Sequence, residues 1–281
     1  MKNVTQLKDR IKVLSIAKNI PHQNLLQNYV MERMLHRITK SQFRNHLILK
    51  GGFLVRSMIG IELRTTMDMD LSVIDYGFNE DSIGLMFSEV CDIQIEDGFT
   101  FVVKEISTIR EKDPYGGYRV KLLACFDTLK ITIKIDVTTG DITISNSISY
   151  HYSLMFDENQ LYILAYNAET ILAEKIETIL SRGVQNSRAR DFYDVYILFK
   201  VLNKELNYAL LRMAIFAVSE NRRSHLALLN SKETINQIKE SQDMKLYWDN
   251  YKKDSIYASE IEFEETIDAL NEVMAIIQTL Q

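Results

Sequence analysis

The fold is indicated most clearly by residues 47–73, whose sequence is LILKGGFLVRSMIGIELRTTMDMDLSV. The first four residues form a short apolar run that predicts a strand, and two glycines follow it. Residues 53–58 favour a helix, and after residue 65 apolar and polar side chains alternate. The segment therefore predicts a strand, a tight turn, a helix and a second strand.

The second of these strands carries two aspartates on one face. Alternation from residue 65 to residue 73 places Asp68 and Asp70 on the polar face. Their backbones lie roughly 6.5–7 Å apart on a strand, so both carboxylates can converge on one metal ion or on a close pair. An ordinary solvated strand face shows the same Asp-x-Asp pattern, and this alternative stays open on the pattern alone.

Three further strands are predicted, and the last of them carries another aspartate. The side-chain pattern indicates strands at 99–106, 118–126 and 130–137, with turn-forming residues at 113–117. In the last strand Asp136 falls on the polar face, opposite a run of isoleucine and valine. Asp136 is therefore the candidate for a third carboxylate, provided that its strand lies near the Asp-x-Asp strand.

Three carboxylates at one place require a cation. Like-charged groups so close together remain ionised only when a positive charge neutralises them. Mg²⁺ is usually bound by a few carboxylates together with substrate phosphates. We therefore predict that Asp68, Asp70 and Asp136 bind Mg²⁺ or Mn²⁺ and take part in catalysis, because such ions can activate an attacking hydroxyl and neutralise a leaving pyrophosphate.

A nucleotide phosphate is the predicted ligand of the glycine turn. Gly51 and Gly52 lie where a strand gives way to a helix, so bare backbone amides and the positive end of a helix dipole can face an anion. A Gly-Gly pair by itself is more often only a turn. Because the Asp-x-Asp strand follows, we count Lys50, Gly51, Gly52 and Thr66 as candidate nucleotide contacts.

The chain divides into two parts of different character. Residues 1–48 are predicted to be mainly helical, strands follow, and after about residue 165 the pattern is helical, with Asn167 as the first N-cap. This predicts an α+β domain, a sheet with flanking helices, at 1–160. A helical domain is expected at 161–281.

Composition limits the partners and the compartment. The net charge of -5 argues against a protein that coats nucleic acid over its whole surface, so any RNA contact must be local. Cys91 and Cys125 show neither metal-ligand spacing nor a disulfide pattern, which favours a reducing cytoplasm. No run reaches the ~20 apolar residues of a membrane span, so we expect a soluble protein with no membrane partner.

The helical part contains a second group of charged residues. Lys175 has no acidic neighbour one turn away on its own helix, so its ammonium needs a partner from elsewhere. Facing a triphosphate, it is suited to neutralise charge on the leaving group. For Arg190, Asp191 and Asp194, substrate contact and an interdomain salt-bridge cluster are equally open alternatives.

Two signatures resemble those of a known family. Residues 49–54, LKGGFL, and 64–71, RTTMDMDL, resemble the first signature of the AbiEii-type toxins, which are similar to polymerase-beta-like nucleotidyltransferases. Residues 173–194 resemble the second signature. The resemblance extends from about residue 27 to residue 198, with a weaker continuation towards 247–249.

This resemblance implies an activity, a substrate and partners. It implies a nucleotidyltransferase-like mixed sheet with flanking helices and a metal-dependent nucleotidyltransferase activity that uses an NTP. It also implies the toxin of a type IV toxin-antitoxin or abortive-infection pair. RNA, with tRNA as a favoured example, is the implied acceptor, and a DNA-binding, winged-helix antitoxin is the implied partner.

The resemblance also assigns roles to single residues. It places the triphosphate at Gly51 and Gly52, and metal at Asp68 and Asp70. It puts Lys175 and Asp191 in the signature that the family needs for toxicity, and we count Arg190 and Asp194 with them as nucleotide contacts. Gly52 stands where a serine is common in the wider group, so backbone amides and cations would replace a hydroxyl contact.

Two other functions stay open on the sequence. An NTP-binding regulatory or interaction protein would keep the same cleft without turnover. A nuclease or phosphodiesterase would use the same carboxylates but would shorten RNA rather than extend it.

Overall fold

The structure, a computed structural model, describes residues 3–109, 116–140 and 147–279. These residues form two compact units. The first unit runs to Gly140 and includes Ser147–Ala165, and the second begins at Tyr166. A boundary at residue 160, as expected from the sequence, would cut the last strand of the first unit away from its sheet. Most of the turn predicted at 113–117 lies outside the described residues.

The first unit contains a sheet and the helices that precede or interrupt its strands. Its helices are α1 (Val4–Lys18), α2 (His22–Lys40), α3 (Gly51–Ile59) and α4 (Glu80–Asp92), with a 3-10 turn at Gln42–Asn45. Its strands are β1 (Leu47–Lys50), β2 (Asp68–Val73), β3 (Thr100–Ile109), β4 (Gly117–Phe126), β5 (Leu129–Thr138), β6 (Ile148–Ser153) and β7 (Gln160–Ala165).

The strands form one mixed sheet. Among the described residues it has seven strands in the order β3-β4-β5-β2-β1-β7-β6. The pairs β2–β5 and β1–β7 are parallel, and the other neighbouring strands are antiparallel. The predicted α+β fold with a mixed sheet is therefore confirmed. β2 begins at Asp68, later than the alternation at residue 65 suggested.

Alternation separates a buried face of the sheet from an accessible one. On β5 the apolar side chains Ile133, Ile135 and Val137 are fully buried, whereas Thr132 and Lys134 are exposed. α2 packs against β5, and α3 packs against β1 and β2. The polar face of β5 is thus open to solvent, as the period of two predicts for a half-buried strand.

α4 was not predicted from the sequence, although its start carries a clear signal. Asn79 caps the helix by accepting a hydrogen bond from the backbone N–H of Ser82 at 2.9 Å, and Ser82 accepts one in return from the Asn79 backbone at 3.1 Å. This capping box satisfies two amide donors that the first helical turn leaves unpaired.

The described part of the second unit is helical. Its helices are α5 (Ala168–Arg182), α6 (Ala189–Leu202), α7 (Tyr208–Asn221), α8 (His225–Leu229), α9 (Ser231–Glu240), α10 (Gln242–Asp254) and α11 (Phe263–Thr279). Asn167 caps α5 by accepting from the Thr170 N–H at 2.8 Å, as predicted. Trp248 is buried beside Phe263 and donates through Nε1 to the Ile261 carbonyl at 3.0 Å.

Within the described ranges, no helix combines the length and the apolar character that crossing a membrane requires.

Candidate functional site

The sheet brings the three predicted metal-binding aspartates to neighbouring positions. β2 and β5 are parallel neighbours, and Asp70 is paired directly with Asp136. Asp68, two residues earlier on β2, is paired with Lys134. Neighbouring strands lie roughly 4.8 Å apart. The condition set by the sequence, that the strand of Asp136 lie beside the Asp-x-Asp strand, is therefore met.

The three carboxylates influence one another electrostatically. Burial raises the pKa of Asp68 above its ordinary value, and the negative charges of Asp136 and Asp70 raise it further. Lys134 and Arg119 act in the opposite direction without cancelling the shift. The site therefore opposes the ionised form of Asp68, and an added cation would favour that form.

Asp136 already has a cationic partner. Arg119 on β4 is its direct neighbour in the antiparallel β4–β5 pair. Its Nε donates to Asp136 Oδ1 and its Nη2 donates to Asp136 Oδ2, both at 2.7 Å. This two-donor arrangement is the strong, oriented form of an arginine-carboxylate pair. The pKa of Arg119 is raised, first of all by these hydrogen bonds.

The donor set suits Mg²⁺ or Mn²⁺ in its chemistry, because carboxylate oxygens are the ligands that hard divalent cations prefer. Within the described residues, however, no three His, Cys, Asp or Glu side chains are gathered closely enough to hold a metal ion. The carboxylates of β2 and β5 thus lie at adjacent positions, but both oxygens of Asp136 accept hydrogen bonds from Arg119.

The glycine turn lies against these aspartates. Gly51 begins α3 in the left-handed conformation, with φ of 66°, which L side chains rarely adopt. A Cβ at Gly51 would overlap the carboxylate of Asp70. At Gly52 a Cβ would lie 3.2 Å from both Arg64 Nη2 and Thr66 Oγ1. The pair of glycines therefore lets the backbone at the start of α3 approach the acidic strand closely.

The start of α3 carries backbone amides that the helix itself leaves unpaired. No side chain caps this helix at its N-cap residue, Lys50. The first amides of a helix lack partners within the helix, and they carry the positive end of its dipole. A phosphate at this position would therefore meet N–H donors next to Asp70.

The other two nucleotide contacts predicted in the first unit have partners inside the protein. Lys50 is buried, and its Nζ donates to Thr138 Oγ1 at 2.7 Å. Thr66 is partly exposed, and its Oγ1 donates to the Asp68 carbonyl at 3.3 Å. Thr66 thus lies at the accessible edge of the turn, whereas the Lys50 side chain is buried within the sheet.

The second charged group is a buried cluster inside the second unit. Lys175 on α5 reaches α6, where its Nζ lies 2.8 Å from Asp191 Oδ1 and 2.9 Å from Asp194 Oδ2. Both carboxylates are fully buried, and Arg188 Nε lies 2.9 Å from Asp191 Oδ2. The sequence required a partner for Lys175 from outside its own helix, and α6 provides two.

Opposing effects set the charge state of Lys175. Burial alone would lower its pKa, but the charges of Asp191 and Asp194 outweigh burial and raise it. The ammonium therefore stays protonated as the shared cation of two carboxylates. Arg190, on the same helix as these carboxylates, is exposed.

Three charged residues that interact with the candidate aspartates were not singled out from the sequence: Arg119, Lys134 and Arg188. Alternation assigns Lys134 to the same face as Asp136, and it assigns Arg119 to the polar face of β4. Alternation does not say which strands are neighbours, so neither residue could be matched to an aspartate before the sheet order was known.

A family model matches residues 33–270, and it is described as nucleotidyl transferase AbiEii toxin, type IV TA system. The search of curated proteins finds no match.

Solved structures that resemble the chain include two from Helicobacter pylori and one from Paracoccidioides brasiliensis. A candidate nucleotidyltransferase from H. pylori is 17% identical, with 92% of this chain and 95% of that chain covered and a TM-score of 0.51. JHP933 from Helicobacter pylori is 17% identical, with coverages of 89% and 91% and a TM-score of 0.48. An antigenic nucleotidyltransferase-like protein from Paracoccidioides brasiliensis is 14% identical, with coverages of 72% and 91% and a TM-score of 0.41. The first of these likenesses supports the fold.

Proposed function

Because the chain belongs to the AbiEii family of nucleotidyl transferase toxins of type IV toxin-antitoxin systems, we propose that its first unit binds an NTP with a divalent metal ion and transfers the nucleotide to an acceptor. The observation that carries this proposal is the register of β2 and β5. It sets Asp70 beside Asp136, with Asp68 two residues away and the glycine turn against Asp70.

Asp68, Asp70 and Asp136 are the proposed ligands of the metal. When bound, Mg²⁺ or Mn²⁺ supplies positive charge to the triphosphate and acidity to an attacking hydroxyl. Burial and the neighbouring carboxylates disfavour the ionised form of Asp68, and a bound cation would offset this.

The glycine turn is the proposed triphosphate contact. The amides at the start of α3, around Gly51 and Gly52, would donate to phosphate oxygens, and Thr66 would add a hydroxyl from the edge of the turn. Lys50 would act from within the sheet, as a buried positive charge beside Asp70 in the β1–β2 register.

In the second unit, Lys175 and Asp191 are proposed to support substrate binding by that unit. Two buried carboxylates bind Lys175, and Asp191 also binds Arg188. We propose that this cluster, with Asp194, holds α5 and α6 together and thereby presents the exposed Arg190 to a substrate phosphate.

RNA is the proposed acceptor, with tRNA as the favoured example, and the reaction is placed in the cytoplasm, where NTPs and RNA are found. The proposed partner is the antitoxin of the pair, a winged-helix DNA-binding protein. The family supports a toxin with an antitoxin partner, and these finer identities are our extension of it.

Transfer of label tests the chemistry. The purified chain is incubated with Mg²⁺, total RNA and each α-labelled NTP in turn, and the RNA is resolved on a denaturing gel. We expect label in RNA from at least one NTP, and a loss of about 100-fold or more in Asp68→Asn, as for removal of a group that stabilises transition-state charge.

A matched variant controls for the loss of one carboxylate. Asp127 is exposed at the β4–β5 turn, with φ of 51°, a conformation that asparagine tolerates. Asp127→Asn should therefore transfer label as the native chain does. No transfer from any NTP, with the native chain and Asp68→Asn indistinguishable, would overturn the proposal.

Two results would favour the alternative functions. Shortened RNA that depends on Asp68 would indicate a nuclease. Bound NTP without transfer, together with growth arrest that survives Asp70→Asn, would indicate a regulatory protein without turnover.

A further inference from the structure

The closest charged neighbour of Asp136 is not another carboxylate but Arg119. The two side chains lie directly opposite each other in the β4–β5 register, and two hydrogen bonds of 2.7 Å join them. Each oxygen of Asp136 accepts one of these bonds. A positive charge therefore already occupies the immediate surroundings of the proposed third metal ligand.

Arg119 differs from Asp136 in its access to solvent. Its side chain is 34% exposed, whereas that of Asp136 is 13% exposed. A guanidinium at a solvent-accessible position can turn away without leaving its charge buried, but the Asp136 carboxylate cannot move with it. Arg119, and not Asp136, is therefore the partner that can move into solvent when the ion pair breaks.

We infer that Arg119 is the resident counter-ion of Asp136 and that a divalent cation must compete with it for this carboxylate, so that Arg119 lowers the affinity of the site for metal. The inference rests on the proposed function, since it takes Asp68, Asp70 and Asp136 as the metal ligands. It assigns to Arg119 a control of metal loading, which is distinct from contact with the reacting atoms.

Charge explains the direction of the effect. A guanidinium bound to Asp136 repels a divalent ion that approaches Asp70, its neighbour across the strands. The hydrogen bonds also occupy one lone pair on each oxygen of Asp136. Removing the guanidinium removes both effects. If Arg119 instead oriented Asp136 for the metal, its removal would weaken binding.

Binding of Mn²⁺ alone, measured by electron paramagnetic resonance, tests the inference without a measurement of activity. The chains compared are the native one, Arg119→Gln, and Asp68→Asn. We expect Arg119→Gln to bind Mn²⁺ about tenfold more tightly than the native chain. Asp68→Asn should lose most of the binding, because it removes a proposed ligand.

Lys121→Gln is the matched control. Lys121 lies two residues further along β4 on the same face, and it bonds to Glu105 at 2.9 Å. This variant removes one positive charge from the same surface without touching Asp136. It should bind Mn²⁺ within about twofold of the native chain. Equal tightening in both variants would mean a general effect of charge, and it would overturn the specific role of Arg119.

Further outcomes separate this inference from the proposed function. Native binding that depends on Asp68 but is unchanged or weaker in Arg119→Gln overturns the inference alone. An absence of Mn²⁺ binding in every chain overturns the proposed metal site as well. Should Arg119→Gln fail to fold, Arg119→Lys provides the test. It keeps the charge but replaces the two-donor fork with a single ammonium, and tighter binding than in the native chain is again expected.

Discussion

Asp70 and Asp136 occupy directly paired positions on the parallel strands β2 and β5. Two carboxylates side by side on one face of a sheet destabilise it unless a cation lies near them. Arg119 supplies such a cation at Asp136, through two hydrogen bonds of 2.7 Å, so the fold keeps the two carboxylates together at the place where the proposed chemistry needs them.

The first prediction concerns the contribution of Asp68 to stability. In buffer with EDTA at neutral pH, Asp68→Asn should raise the free energy of unfolding, because burial and the neighbouring carboxylates disfavour the ionised aspartate. The folded-state pKa of Asp68 lies above its unfolded value, so ionisation costs stability at neutral pH. This cost disappears as the pH falls below the ordinary Asp pKa of about 3.9.

Urea unfolding at neutral pH and at a pH below about 3.9 measures this effect. The gain from Asp68→Asn should be present at neutral pH and absent at low pH, whereas Asp127→Asn, at an exposed turn, should show no gain. A variant that is less stable than the native chain at neutral pH would contradict the prediction.

The second prediction separates backbone strain from contact at the glycine turn. Gly51→Ala forces an alanine into the left-handed region and places its Cβ on the Asp70 carboxylate. Gly116 has φ of 38°, and no atom of the described residues lies within 4 Å of its Cβ position, so Gly116→Ala tests strain. We expect a cost of about 1–2 kcal/mol at Gly116. Gly51→Ala should cost more.

Urea unfolding and transfer of labelled nucleotide measure the two variants. Gly116→Ala should retain transfer, and Gly51→Ala should lose it because Asp70 is displaced. Equal loss of stability in both variants would show that the close approach of Gly51 to Asp70 carries no additional cost.

The third prediction concerns the buried cluster of the second unit. Lys175→Met leaves Asp191 and Asp194 buried without their shared cation, so unfolding should become easier by about 3–5 kcal/mol. Lys239 is a suitable control, because it is half-exposed and lies 3.8 Å from its nearest carboxylate. Lys239→Met should change stability by less than about 1 kcal/mol.

The stability of these variants must be known before a test of toxicity can be interpreted. A loss of growth arrest in Lys175→Met has two sources, catalysis and folding, and Lys175→Arg distinguishes them. If Lys175→Arg is stable but inactive, the ammonium itself serves the reaction. Unchanged stability in Lys175→Met, measured by urea unfolding, would refute the structural role of the cluster.

The fourth prediction concerns the two thiols. Burial raises the pKa of Cys91 to about 12, so its thiol stays protonated at pH 8 in the native state. Thiolate is the reactive form. Cys125 is partly exposed. Iodoacetamide at pH 8, followed by peptide mass spectrometry, should therefore modify Cys125 in the native protein and Cys91 only after urea is added. Equal native rates for the two cysteines would contradict this.

Local patterns in the sequence were sufficient for the elements that carry the site. The apolar run and glycine pair at 47–52 predicted β1 and the start of α3, and alternation placed Asp68, Asp70 and Asp136 on polar strand faces. Such patterns depend on which side of a strand or helix a residue faces, and this is decided by residues close in sequence. The family resemblance drawn from the same segments is confirmed.

The partners of these residues were decided only by the tertiary structure. The pairing of Asp70 with Asp136, the fork from Arg119 and the two carboxylates on Lys175 all join residues from different elements. Strand order, register and helix packing depend on how distant segments bury their apolar faces against each other, and alternation is equally compatible with several strand orders. The sequence by itself therefore determined the acidic strand and the glycine turn. Only the folded sheet decided which carboxylates are neighbours and which cation binds Asp136.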